Sequence, residues 1–510
     1  MTSSPWSSGY FSEESYIVSH YSSQEPTALR TVFLLQQVAW SAPQEGLIYV
    51  DVGCGRGFTT CLLAAANPSW TVIGLDFLPA HVGEAQALAA EAGLTNVSFH
   101  EVDLSQITDA DAAQLVPEAD VITLHGVWSW VAPVVQDGIL RVLNRLKPGG
   151  AAMVSYNALP GWSDALGMQA LVRRLVDAGM GPASDRISAA MKVIADLRDA
   201  KAHALVGSRH TETQIKAAEE RGSVAYVAHE LLNEGWRPYF VHEVWERLAR
   251  AKLDYVGSAT LADNFLPFQV SAAQREIVDS LPPGPTRELA IDLCADREFR
   301  RDIFVRGRRP MVPSGAWRDM RLIRASDGPV DKVKFQFPAG EGEVPAATVG
   351  ALMDALADGP RTIGELLTVP EASRMSPWEL LPTLFSGGFA RPLWRDDTGP
   401  DGEAAVIARR FCHAANRRYL TEEKITSGIA MPIPCLGAGI PCRPPELAVN
   451  CMLFEAQERS PEAPLPNEVV IARRLMRPDA PSDAIVEAEA SIRDMLQRGV
   501  PALRRLGLLR

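Results

Sequence analysis

Asp51 closes the apolar run Ile48-Tyr49-Val50 and leads into Gly53, Gly55 and Gly57, spaced G-x-G-x-G. Glycine has no Cβ, so such a turn takes positive φ and lets a ligand lie against bare backbone. Asp76 ends the next apolar run, Thr71–Leu75, about twenty residues past the last glycine, where a βαβ fold grips ribose hydroxyls. Asp103 ends a third run, Val97–Val102, and Leu104 follows it. A fourth run, Asp120–Leu124, opens into His125-Gly-Val-Trp-Ser-Trp130. Aromatic walls there would hold an amine by cation–π contact while shedding water, and His125 would be placed to take a proton. His125, Trp128 and Tyr156 are therefore the candidate catalytic side chains. Ser129, Trp130, Asn157 and Trp162 are candidate walls of the same pocket.

These residues need strands that end side by side. The five apolar runs, with Ala151–Tyr156 as the fifth, are separated by helix-compatible stretches that include Pro79–Ala92 and Gln136–Leu146. That pattern predicts a Rossmann-like α/β core with ligands bound at the carboxyl ends of its strands. The turn reads D-x-G-x-G-x-G, not the G-x-G-x-x-G of dinucleotide folds. Together with the order of the five signals, it resembles the class I S-adenosylmethionine-dependent methyltransferases. The roles implied are specific. Asp51 orients the turn and the cofactor's amino group, and Gly53, Gly55 and Gly57 admit the methionine portion. Asp76 holds the ribose. Asp103 and the Leu104 N–H meet the adenine. Tyr21 and Gln24, in the lead-in before a helix-like run Ala28–Trp40, would close the cofactor mouth. Methyl transfer asks mainly for positioning and exclusion of water, so no catalytic triad is expected.

The 510 residues suffice for roughly two to four domains, and 47% hydrophobic residues support large cores. A net charge of −12 argues against a nucleic-acid partner. Seven scattered cysteines fit a reducing cytoplasm better than a disulfide framework. The Ser-rich start lacks a basic stretch and an apolar segment, so no signal peptide is expected, and no apolar run reaches the length of about 20 residues that spans a bilayer. Cys435, Cys442 and Cys451, with His413, have spacings that match no compact metal-ligand pair, so no metal is expected.

Beyond the fifth strand the periodicity turns helical over 163–238, which we read as an insertion forming a lid or a dimer contact. Val241–Leu253 is an amphipathic helix, with Val241, Val244, Trp245 and Leu248 on one face. Tyr255–Leu261 and Asp302–Val305 are expected to supply the last strands of the core sheet. The expected division is a core with its lead-in (1–162), the insertion (163–238) and a segment completing the sheet (239–309). A winged-helix-like unit (310–395) and a C-terminal α+β region (396–510) follow. Thr362-Ile-Gly-Glu365 is a capping-box helix start within the fourth unit. The acidic balance makes that unit a protein contact rather than a DNA reader.

Four longer stretches sharpen the resemblance: His125–Trp130, Ser155-Tyr-Asn-Ala-Leu-Pro-Gly-Trp162, Tyr226-Val-Ala-His-Glu-Leu-Leu-Asn233, and Ala251–Ala259 with Asp263-Asn264-Phe265. On these the chain is similar to bacterial class I methyltransferases that carry a methyltransferase regulatory domain, a group that includes protein-lysine methyltransferases. The resemblance implies S-adenosylmethionine as cofactor, a protein or peptide lysine as acceptor, and dimerisation through the helical insert. A small natural-product acceptor and a non-catalytic cofactor-binding scaffold are the alternatives. Gln24-Glu25-Pro26 stands where many lysine-methylating members have Thr-His-Pro.

Overall fold

The structure is a computed structural model that describes residues 18–219, 224–396, 399–419, 428–462, 464–476 and 481–510. The Ser-rich start lies outside the described residues.

Seven strands form the central sheet: β1 (Ile48–Val52), β2 (Thr71–Asp76), β3 (Val97–Glu101), β4 (Ala119–Leu124), β5 (Leu146–Asn157), β6 (Leu253–Ser258) and β7 (Phe299–Arg306). Their order is β3-β2-β1-β4-β5-β7-β6. The first five run parallel, and β7 lies antiparallel between β5 and β6. β1 and β4 meet at the centre, which makes the space above their carboxyl ends the switch point of the sheet. The two strands expected to finish the sheet do so, starting two or three residues earlier than their apolar patterns suggest.

Helices α1 (Pro26–Leu35), α2 (Phe58–Ala66), α3 (Pro79–Ala92), α4 (Asp109–Leu115) and α5 (Pro133–Leu143) flank the strands. α3 lies where the sequence punctuates it, with Pro79 in its first turn and Gly93 as a left-handed cap at φ +66°. Every residue of α2 is buried. One of its sides faces the sheet. The other is covered by a distant part of the chain, the helix Glu403–Tyr419, whose Phe411 ring meets Phe58 edge-on at 5.5 Å between centroids. A hairpin of Ile429–Ile433 and Ala438–Cys442 adds to the same apolar cluster.

The insertion is a set of four helices, α6 (Leu166–Ala178), α7 (Ala183–Asp199), α8 (Arg209–Glu219) and α9 (Val224–Leu231), around its own core of Trp162, Met168, Ile187 and Leu231. Residues 321–392 pack helices Ala346–Ala355, Ile363–Leu366 and Pro377–Ser386 around a three-stranded sheet. Its central strand, Arg321–Arg324, precedes all three helices and pairs with Arg361–Thr362 and Ala390–Pro392. The capping box forms as expected: Thr362 Oγ1 accepts the Glu365 N–H at 3.1 Å, and Glu365 accepts the Thr362 N–H at 2.7 Å.

Candidate cofactor and acceptor site

The glycine turn is built as its composition requires. Gly53, Gly55 and Gly57 all have positive φ, at +74°, +54° and +77°. A Cβ on Gly57 would stand 2.4 Å from the Ala85 Cβ, and one on Gly53 2.4 Å from Val127 Cγ2. A Cβ on Gly55 would meet nothing within 4 Å, so this residue presents open backbone to the cavity. Asp76 staples the turn to the end of β2: one carboxylate oxygen accepts the Gly55 N–H at 2.8 Å, the other the Leu78 N–H at 2.9 Å. His81 Nδ1 stands 3.3 Å from the second of these oxygens, and the first keeps a spare lone pair for a ribose hydroxyl.

Asp51 sits at the floor of the cavity, 2% exposed. Gln24 Nε2 donates to one of its oxygens at 2.8 Å and Thr60 Oγ1 to the other at 2.6 Å. Gln24 also donates to Thr123 Oγ1 on β4 at 3.1 Å, which ties the lead-in across the switch point. Burial pushes the Asp51 carboxyl up to about 6, against the pull of the Thr60 and Gln24 hydrogen bonds and with the Asp76 charge adding to the rise. Asp103 accepts the Ser105 N–H at 2.9 Å and, with Leu104, lines the opposite end of the same cavity. Gly138 on α5 makes that wall possible, because a Cβ there would lie 1.8 Å from the Leu104 carbonyl oxygen.

His125 stacks on Tyr21 at 4.0 Å between centroids and faces the edge of Phe299 at 5.9 Å. Its Nδ1 is buried with no hydrogen-bond partner among the described residues. Burial, helped by the Arg301 charge, pushes the imidazole down to about 3. His125 is therefore neutral at physiological pH and a poor proton acceptor, and the reading of it as a base is corrected to that of an aromatic wall.

Five further expectations are corrected. Trp128 is fully buried in the core against α5 and does not line the cavity. Val127 before it and Trp130 after it line the cavity instead. Tyr156 is also fully buried and points away from the cavity, its hydroxyl donating to Asp302 at 2.7 Å. There it joins a buried cluster in which Arg300 pairs with Asp292, Asp302 and Glu288. Ser129 is likewise structural, accepting the Asn157 N–H at 2.8 Å. Trp162 belongs to the insertion's core, and Asn157 donates to Glu230 of α9 at 2.8 Å.

Tyr21, Gln24, Asp51, the three glycines, Asp76, Asp103, Leu104 and His125 line one cavity together. Phe77, His81, Val131, Ala132 and Val135 share its walls without any sequence expectation pointing to them. Thr60 and Thr123 were also missed, although a hydroxyl in the first turn after a glycine loop is a recognisable partner for the acid before it. The cradle at Gly55 and the ring of three carboxylates suit a nucleoside with hydroxyls, a ring amine and an ammonium group.

The sequence comparisons agree. Residues 43–207 match the model of a methyltransferase domain, and residues 223–306 that of a predicted methyltransferase regulatory domain. The chain is a methyltransferase with a regulatory domain. An uncharacterized protein of Synechocystis is 29% identical over 90% of the methyltransferase and 89% of its own length. An uncharacterized protein of Rickettsia prowazekii is 25% identical over 55% of the methyltransferase and 49% of its own length. The structure of PKMT2 from Rickettsia typhi, solved also in complex with AdoHcy, covers 97% of the methyltransferase and 99% of itself at a TM-score of 0.64 and 18% identity. The shared architecture thus extends over the whole chain, the C-terminal region included. S-adenosylmethionine is the cofactor of this methyltransferase.

Proposed function

We propose that the chain methylates the side-chain amine of a protein or peptide lysine. The observation that carries this reading is the aromatic lining that Tyr21, His125 and Trp130 give the cofactor cavity. Rings in this arrangement attract an amine electrostatically and keep water off it. The likeness in fold to PKMT2, a protein-lysine methyltransferase, points the same way.

In this reading Asp51 accepts hydrogen bonds from the cofactor's amino group, and Gln24 and Thr60 hold it in place. Asp76 positions the ribose, and Asp103 with the Leu104 N–H positions the adenine. S-adenosylmethionine supplies a methyl group already activated on sulfur. The residues of this chain therefore align the acceptor and exclude water, and the lysine, drawn to the rings as its ammonium, gives its proton to solvent before transfer, since His125 is too weak a base to take it. The three-helix unit over 310–395 serves as a winged-helix-like protein contact. Exposed Leu166, Met180 and Val206 on the insertion support a contact with a second copy, and seven free cysteines fit the cytoplasm.

Incubation with methyl-labelled cofactor and a cell lysate tests the reading. Label is expected on protein bands and, after hydrolysis, on lysine. Label confined to small molecules rejects a protein acceptor. Label nowhere, with S-adenosylhomocysteine still binding in a calorimeter, rejects catalysis.

A further inference from the structure

A second cleft, of about 540 Å³, lies on the other side of Tyr21 from the cofactor cavity. Its walls come from four parts of the chain: the lead-in, the ends of β6 and β7, the helix Pro377–Ser386 with the strand after it, and the C-terminal hairpin. The volume is that of an ordinary small-ligand site. Arg301 of β7 and Arg391 both line it.

Neither guanidinium is held in an ion pair among the described residues. Arg301 lies over the Phe299 ring and donates to Thr260 Oγ1 at 3.2 Å. Arg391 lies over Phe385 and donates to its carbonyl at 2.8 Å. Among the described residues no carboxylate forms an ion pair with either. Glu25 is on the wall, but one of its oxygens already accepts from His20 at 2.9 Å and from the Gly439 N–H at 2.7 Å. Asp263, the acid nearest Arg301 in charge, is paired with Arg297 at 2.8 Å. Burial holds both arginines below their ordinary values. Two half-buried cations thus share the cleft with a single lining carboxylate, Glu25, which is turned to other partners, and a bound anion would offset their lost hydration.

We propose that this cleft is a second binding site, for a ligand carrying a carboxylate or phosphate group held between Arg301 and Arg391. Such a ligand would share Tyr21 as a wall with the cofactor.

The full chain is titrated with succinate and, separately, with inorganic phosphate, each against chloride at matched ionic strength, with heat or thermal shift as readout. Saturable binding of at least one probe is expected, at least tenfold weaker in Arg391→Gln and Arg301→Gln. Succinate alone binding assigns a carboxylate ligand, phosphate alone a phosphate ligand. In the wild type, the binding probe should slow phenylglyoxal modification of Arg301 and Arg391, read by peptide mass, while exposed Arg459 reacts at an unchanged rate; this arm needs no folded variant. Absence of saturation by both probes, unprotected arginines, or variants that bind as the wild type does would overturn the site. Titration with S-adenosylhomocysteine separates this from the methyltransferase reading: retained cofactor binding with no anion binding removes only the second site.

Discussion

Asp51 carries its charge in a buried place, and this ties cofactor binding to pH. Its folded carboxyl titrates near 6, above the ordinary 3.8. A raised carboxyl favours the folded state while protonated, so that contribution is complete below the ordinary value and lost as pH rises through about 6. Cofactor binding runs the other way, because the ammonium partner needs the ionised form. The dissociation constant for S-adenosylhomocysteine should rise as pH falls below about 6, approaching about tenfold per pH unit, and binding near pH 5.5 should release a proton. Calorimetry in buffers of different ionisation heat measures both, and Asp51→Asn should bind more weakly with the pH dependence gone. Asp76→Ala should weaken cofactor binding by about 1–3 kcal/mol, the cost of leaving hydrogen-bonding groups unpaired, and should also loosen the turn that Asp76 staples; unchanged affinity would remove it from the site. The acids and glycines were legible because their chemistry depends on type and spacing alone. Trp128 and Tyr156 were not, because an aromatic residue in a motif serves a core as readily as a pocket, and only the third dimension tells which.

At the scale of elements, the glycine turn separates two uses of the same residue. Gly57→Ala places a methyl against Ala85 in addition to its left-handed strain. We expect a loss of about 2–5 kcal/mol in urea unfolding, from about 1–2 for the backbone and about 1–3 for overpacking. Gly55→Ala carries only the backbone cost, about 1–2 kcal/mol, but its methyl enters the cavity and should weaken S-adenosylhomocysteine binding more than it weakens folding. Equal effects of the two changes on stability would contradict this division. The elements themselves were well marked where proline and glycine bracket them, as in α3. They were poorly marked between β6 and β7, where helices Ala272–Ser280 and Pro285–Ala295 went unassigned although a Ser271 capping box opens the first. The hairpin Val333–Phe337 with Gly340–Val344 was also missed, although Val333, Phe335 and Phe337 alternate with Lys334 and Gln336; its second strand, Gly-Glu-Gly-Glu-Val, carries no apolar alternation to pair with the first.

Across the whole molecule, the C-terminal hundred or so residues complete the core they follow. Phe58 and Leu62 of α2 pack with Phe411, Tyr419 and Leu447 in one apolar cluster. A chain ending at residue 395 should therefore be insoluble or fail to bind S-adenosylhomocysteine; a soluble, binding-competent product in size-exclusion and calorimetry would show the reverse. Part of this was open to inference: a helix apolar on every side, as α2 is, must be covered twice. What covers it was not, because its partners are more than 300 residues away and their own pattern names no target.

The hydrogen bonds that run from His20 and Glu25 to Gly428 and Gly439, with Thr27 donating to the Leu436 carbonyl at 2.7 Å, have a consequence for synthesis. The segment that brings Tyr21 and Gln24 over the cavity is translated some four hundred residues before its anchor. A nascent chain holds the strands and the glycine turn long before it can close them over a nucleoside, so the newborn protein acquires its cofactor only after the hairpin 429–442 has been made.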